Sequence, residues 1–140
     1  MSTPTTTTAG EYLLLFRGRE WYNDLSAEEL QKALGQTKAW FERVSSQVKV
    51  KASQPLAREG ATVSLKNGRV VTDGPYAESK EAIGGYLLFE AGSLEEAIAL
   101  AKTCPTLAYD CAVEVRPVGT ECPMSARARQ LEQAQELVNA

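Results

Sequence analysis

The chain has 140 residues, 44% of them hydrophobic and 24% charged, with a formal net charge of −3 and no histidine. That length suits one domain around one core, and an acidic balance argues against a nucleic-acid binder, which carries a basic patch. No apolar run approaches the roughly 20 residues needed to span a bilayer, so no membrane partner is expected.

Residues 1–10 are mostly threonine and lack the basic start and apolar middle of a signal peptide. They are expected to form a disordered tail, and the chain is expected to be cytoplasmic. Cys104, Cys111 and Cys122 are an odd count without a CxxC pair, which fits reduced thiols. With no histidine, neither a structural zinc site nor any Ser-His or Cys-His mechanism is expected. No cofactor is called for.

Tyr12-Leu13-Leu14-Leu15-Phe16 is apolar on both faces, the mark of a central, covered strand. Trp21 and Tyr22 follow in a loop, placed either to cap a pocket or to pack a dimer. Ser26 and Glu29 have capping-box spacing. Leu30, Ala33, Leu34, Thr37, Trp40, Phe41 and Val44 then keep the helical period on one face, with Trp40 in the core. The helix is predicted to end near residues 44–46.

Residues 48–52 alternate as a half-exposed strand closed by Pro55. Asn67-Gly68, between residues 62–66 and 69–72, predicts a two-residue type I′ hairpin with Leu65 opposite Val70. Gly74-Pro75 ends that strand. After a charged loop, Gly84-Gly85 is expected to allow a bulge or a close backbone approach, and it lacks the context of a phosphate loop. Tyr86 to Phe89 is a second strand apolar on both faces. Ser93 and Glu96 repeat the capping spacing before the stripe Leu94, Ala97, Ile98 and Ala101. Pro105 stops that helix. Residues 112–118 alternate and contain Pro117, so they read as an edge or terminal strand. Residues 125–139 read as a third helix with a weak apolar stripe.

The order gives an α+β class and a ferredoxin-like βαββαβ fold with an inserted β-hairpin and an extra C-terminal helix. It puts the two doubly apolar strands at the centre. Two helices cover only one sheet face, so the other is expected to pair with a second copy in a homodimer. The domain is expected over residues 11–118, with a helical extension over 119–140.

Asp73 leaves a strand just before Gly-Pro. It reads either as a general base or ligand anchor at a sheet end, or as an aspartate bonding its own turn. Glu78, Lys80 and Glu81 read as ligand contacts or as a solvated loop. Arg17 and Arg116 close neighbouring antiparallel strands at opposite ends of the sheet. Either could hold an anion in bidentate fashion, or pair with a carboxylate. Cys104 sits at a helix C-terminus, which argues against a nucleophilic role.

Asp73-Gly74-Pro75-Tyr76, Glu78-Ser79-Lys80-Glu81 and Gly84-Gly85-Tyr86 closely resemble the DGPF signature of YCII-related proteins. Leu13 to Arg17, Trp40, Pro55-Leu56, Cys104-Pro105 and Glu114 to Val118 follow in the family's order. The resemblance spans residues 11–118 and implies a dimeric α/β-barrel domain. Members are mostly of unknown function, and some occur beside or fused to alternative sigma factors. The wider superfamily's suspected His-Asp pair cannot be carried over to a chain without histidine, and Tyr76 stands where phenylalanine is usual.

Three functions stay open. One is a small-molecule-binding dimer, regulatory or accessory, with Asp73, Arg17 and Tyr86 near the mouth of a cavity and Tyr76 and Trp21 beside it. Another is a cofactor-free isomerase or lyase with Asp73 as base and Arg17 as clamp. The third is a protein-interaction module docking through the hairpin or the C-terminal helix.

Overall fold

A computed structural model describes residues 10–18, 20–73 and 82–139. The expected tail lies outside these residues except for Gly10, and Tyr76 and the charged loop lie outside them too. The elements are β1 (Gly10–Gly18), α1 (Ala27–Gln47), β2 (Lys49–Pro55), β3 (Thr62–Lys66), β4 (Arg69–Asp73), β5 (Ile83–Ala91), α2 (Leu94–Ala101), β6 (Cys111–Pro117) and α3 (Pro123–Asn139). Short 3-10 turns lie at Trp21–Asp24 and Pro105–Ala108.

The class is α+β. Four strands form an antiparallel sheet in the order β2-β5-β1-β6, with the doubly apolar strands β1 and β5 side by side in the middle. Their register sets Tyr12 opposite Phe89 and Leu14 opposite Leu87. These four side chains are buried with Trp40 and Val44 of α1 and with Ala97, Leu100 and Ala101 of α2. Successive strand residues point to opposite faces, so Leu13, Leu15, Tyr86 and Leu88 lie on the other face. They are only half-buried. The apolar content of both central strands therefore meets full cover on one face alone.

Local chemistry starts each helix. At α1 the Glu29 amide donates to the Ser26 hydroxyl at 3.1 Å and the Ser26 amide donates to the Glu29 carboxylate at 2.9 Å, a complete capping box. That second bond lowers the Glu29 pKa, because it stabilises the ionised carboxylate. At α2 only half of the expected box forms. The Glu96 amide donates to the Ser93 hydroxyl, but the Glu96 carboxylate accepts from Gly92 instead. Ser93 is more extended than Ser26 (φ −163° against −69°), which brings the preceding amide into reach. α3 begins two residues before its expected start, with Pro123 at the first helical position, where a missing amide costs nothing. None of its residues is buried.

β3 and β4 pair as a separate two-stranded sheet with Leu65 opposite Val70 and Val63 opposite Thr72. Asn67 and Gly68 both have positive φ, 51° and 78°, as the turn requires. Val63, Leu65 and Val70 share one face of this hairpin and stay 64–72% exposed. Among the described residues no helix is long and apolar enough to cross a membrane.

Candidate functional site

β1 and β2 end, and β5 begins, at the same end of the sheet. Two glycines shape the strands there. The β1–β5 register shifts between Phe16, opposite Gly85, and Arg17, opposite Ile83, so the chain bulges at Gly84. A side chain at Gly85 would come within 3.1 Å of the Gln54 carbonyl oxygen on β2. The glycine pair thus supplies both the bulge and the close approach its sequence suggests. The loop after β2 is tied down by the Leu56 amide, which donates to the Gly84 carbonyl at 2.8 Å.

This sheet end frames a cavity of about 500 Å³ between the strands, α1 and the Trp21–Asp24 turn. Its walls are largely aromatic and aliphatic: Phe16, Trp21, Phe41, Ile83 and Tyr86 all contribute. Core packing fixes one wall. Phe16 meets Trp40 edge-on, with ring centroids 6.2 Å apart, and Phe41 meets Trp40 at 5.1 Å. Trp40 is itself held by its indole N–H, which donates to the Thr103 hydroxyl at 2.7 Å. Trp21, also on the lining, is held by stacking: it lies nearly parallel to Tyr109 at 4.7 Å.

Charged groups on the lining are engaged with other charges. Arg58 forms an ion pair with Glu20 at 3.0 Å, and Glu20 also accepts from the Tyr22 hydroxyl and the Asn23 amide. Burial, reinforced by the Glu20 charge, pushes the Tyr22 hydroxyl pKa up, so Tyr22 stays a donor at neutral pH. Arg17 pairs with Glu114 on β6. Glu114 also receives Arg116 at 3.9 Å. The two arginines, expected to act apart, therefore share one carboxylate placed between them on the open sheet face.

Of the residues singled out by sequence, Arg17, Trp21 and Tyr86 line the cavity. Asp73 does not belong to the described lining. It ends β4, its side chain is 63% exposed, and it accepts from Lys66 across the hairpin at 3.4 Å. The reason is topological: β4 pairs with β3 in the separate two-stranded sheet, so its end is not an end of the four-stranded sheet. Tyr76 lies outside the described residues. Among the described residues Glu20 is the one carboxylate on the lining, and no group of three cysteine, aspartate or glutamate side chains is placed to hold a metal ion.

Sequence reasoning missed Glu20, Phe41 as a wall residue, Arg58 and the pair Cys104 and Cys111, all of which line the cavity. Phe41 carries a core signal that hides its second role. Arg58 stands in a polar loop with nothing to mark it. The arrangement suits a small organic molecule with an apolar body, set against aromatic rings and held at one end by hydrogen bonds.

A comparison with curated proteins gave no match. A family model, the YCII-related domain, matches residues 12–120, which takes in all of the sheet but the first two residues of β1, the hairpin and both packed helices. The chain belongs to the YCII-related domain family.

Proposed function

We propose that this protein is a homodimeric small-molecule-binding protein, regulatory or accessory in role, with a ferredoxin-like fold that pairs sheet to sheet as a dimeric α/β barrel. The observation that carries the binding reading is the aromatic cavity of about 500 Å³ at the sheet end. A cavity of that size, mostly apolar with a few fixed polar groups, is the usual form of a small-molecule site. The sheet order and the half-buried face of Leu13, Leu15, Tyr86 and Leu88 support the pairing. Three free thiols support a reducing, cytoplasmic setting.

The ligand on this reading is compact and largely apolar, with a polar end near Arg17 or Arg58. A catalytic version with Asp73 as base needs that carboxylate at the cavity. Its exposed position beside Lys66 favours binding over an isomerase or lyase step. The exposed Val63, Leu65 and Val70 favour a second, interaction role for the hairpin.

The test is equilibrium titration with the apolar fluorophore N-phenyl-1-naphthylamine. Saturable binding at one site per chain is expected, weakened about tenfold or more by Ile83→Glu, which puts a charge at the cavity wall. Ile83 is 38% exposed, so the fold should tolerate the change. Absent saturation, or binding indifferent to Ile83→Glu, would remove the cavity as the site.

A further inference from the structure

Two of the three cysteines line the cavity, one on either side of the short Pro105–Ala108 turn. Cys104 closes the loop after α2 and opens the Pro105–Ala108 turn, where it is 4% exposed. Cys111 is the first residue of β6, opposite Gly18 of β1. Both line the cavity, and so does Thr106 between them. The Thr106 hydroxyl lies 3.0 Å from the Cys104 sulfur, and the Cys111 thiol donates to the Ala112 carbonyl at 3.8 Å. The two cysteines stand on either side of this one four-residue turn, which sets both at the same end of the cavity. Neither forms a disulfide.

A buried cysteine is usually a small hydrophobe. What differs here is a pair set on either side of one short turn, both on the lining of a cavity with apolar walls. The walls accept an apolar substituent, and the sulfurs supply two soft donors at one end. We infer that Cys104 and Cys111 form a dithiol site for a small thiophilic centre carried on an apolar group, a trivalent organoarsenical being the representative chemistry.

The reaction balances without an oxidant. An organoarsenic oxide, R–As=O, meets two thiols. Both S–H bonds and the As=O bond break, two As–S bonds form, and the oxygen leaves as water with both thiol protons. Arsenic stays trivalent. The product is uncharged, so the burial that raises the Cys111 thiol pKa does not oppose it. The inference rests on the cavity being a ligand site, and it adds the chemistry at one end of it.

The experiment is titration of the full chain with phenylarsine oxide, read by native mass spectrometry and by the count of free thiols. One adduct per chain is expected, with reactive thiols falling from three to one. Cys122→Ser should bind as the parent does. Cys111→Ser should bind about a hundredfold more weakly or worse, because one attachment is lost. Cys104→Ala gives the same readout at the more buried position, and the thiol count on the parent chain needs no variant at all. An adduct that survives Cys111→Ser, or that consumes Cys122, overturns the inference. So does the absence of an adduct. If N-phenyl-1-naphthylamine still saturates while no arsenical binds, the dithiol inference alone fails. If neither binds, the cavity reading fails with it.

Discussion

Gly18 shows how one position is fixed by a neighbour far along the chain. Its φ is +152°, and a Cβ there would stand 2.6 Å from the Asp110 carbonyl oxygen and 3.2 Å from the Cys111 Cα. Both are backbone atoms, so neither can turn aside. Gly18→Ala is expected to cost about 2–4 kcal/mol, the range of backbone-strain and overpacking changes, while Gly10→Ala, with nothing within 4 Å, should be near neutral. Urea unfolding midpoints of the two variants check this; equal effects would remove the steric argument. Nothing in the sequence marked Gly18, because its constraint comes from the start of β6. The pair Gly84-Gly85 was legible, since two adjacent glycines entering a strand have few other uses. Asp73 was legible as the end of a strand, while its pairing with Lys66 across the hairpin was not. Its place depended on which sheet β4 would join.

At the level of elements, what was local in sequence was readable. The capping box at Ser26 and the Asn67-Gly68 turn each involve residues within four positions, and both form as their spacing predicts. Ser26→Ala is expected to lower stability by about 1 kcal/mol, whereas Ser26→Asp, which keeps an acceptor, should change it by only a few tenths. Guanidinium unfolding monitored by helical circular dichroism separates the two; a neutral Ser26→Ala would mean the cap is not contributing. Ser93 and Glu96 have the same spacing, yet their box is half-formed, because spacing does not encode the extension of the residue that precedes the helix. The cavity was the least legible feature. It collects residues from five separate stretches of chain, and only packing brings them together.

For the whole molecule, the half-covered sheet and the exposed hairpin face leave more apolar surface than a lone chain needs. In the proposed dimer the face of Leu13, Leu15, Tyr86 and Leu88 is covered by its copy. Leu13→Lys should then drive the protein to the monomer mass of 15.2 kDa in native mass spectrometry, because an unpaired charge would be buried in the interface. A parent chain that is already monomeric, or a Leu13→Lys variant that stays dimeric, would exclude this face. The fold class was legible from the two doubly apolar strands, since a period of two with no polar face has few places in a sheet. Which surface covers the second face was not, because a single chain contains no pattern for its partner.

The pairing of β1 with β5 and β6 also sets the order of events in time. Leu14 meets Leu87 and Val115, so the central ladders join the start of the chain to its far half. Only the β3–β4 hairpin and the helices can form from neighbours. The chain must therefore lose the entropy of closing a long loop before its core repays it. Refolding in stopped-flow mixing should fall in the millisecond-to-second range of non-local topologies, slower than a helical bundle of equal length. Sub-millisecond refolding would mean that the core assembles by a more local route than the sheet implies.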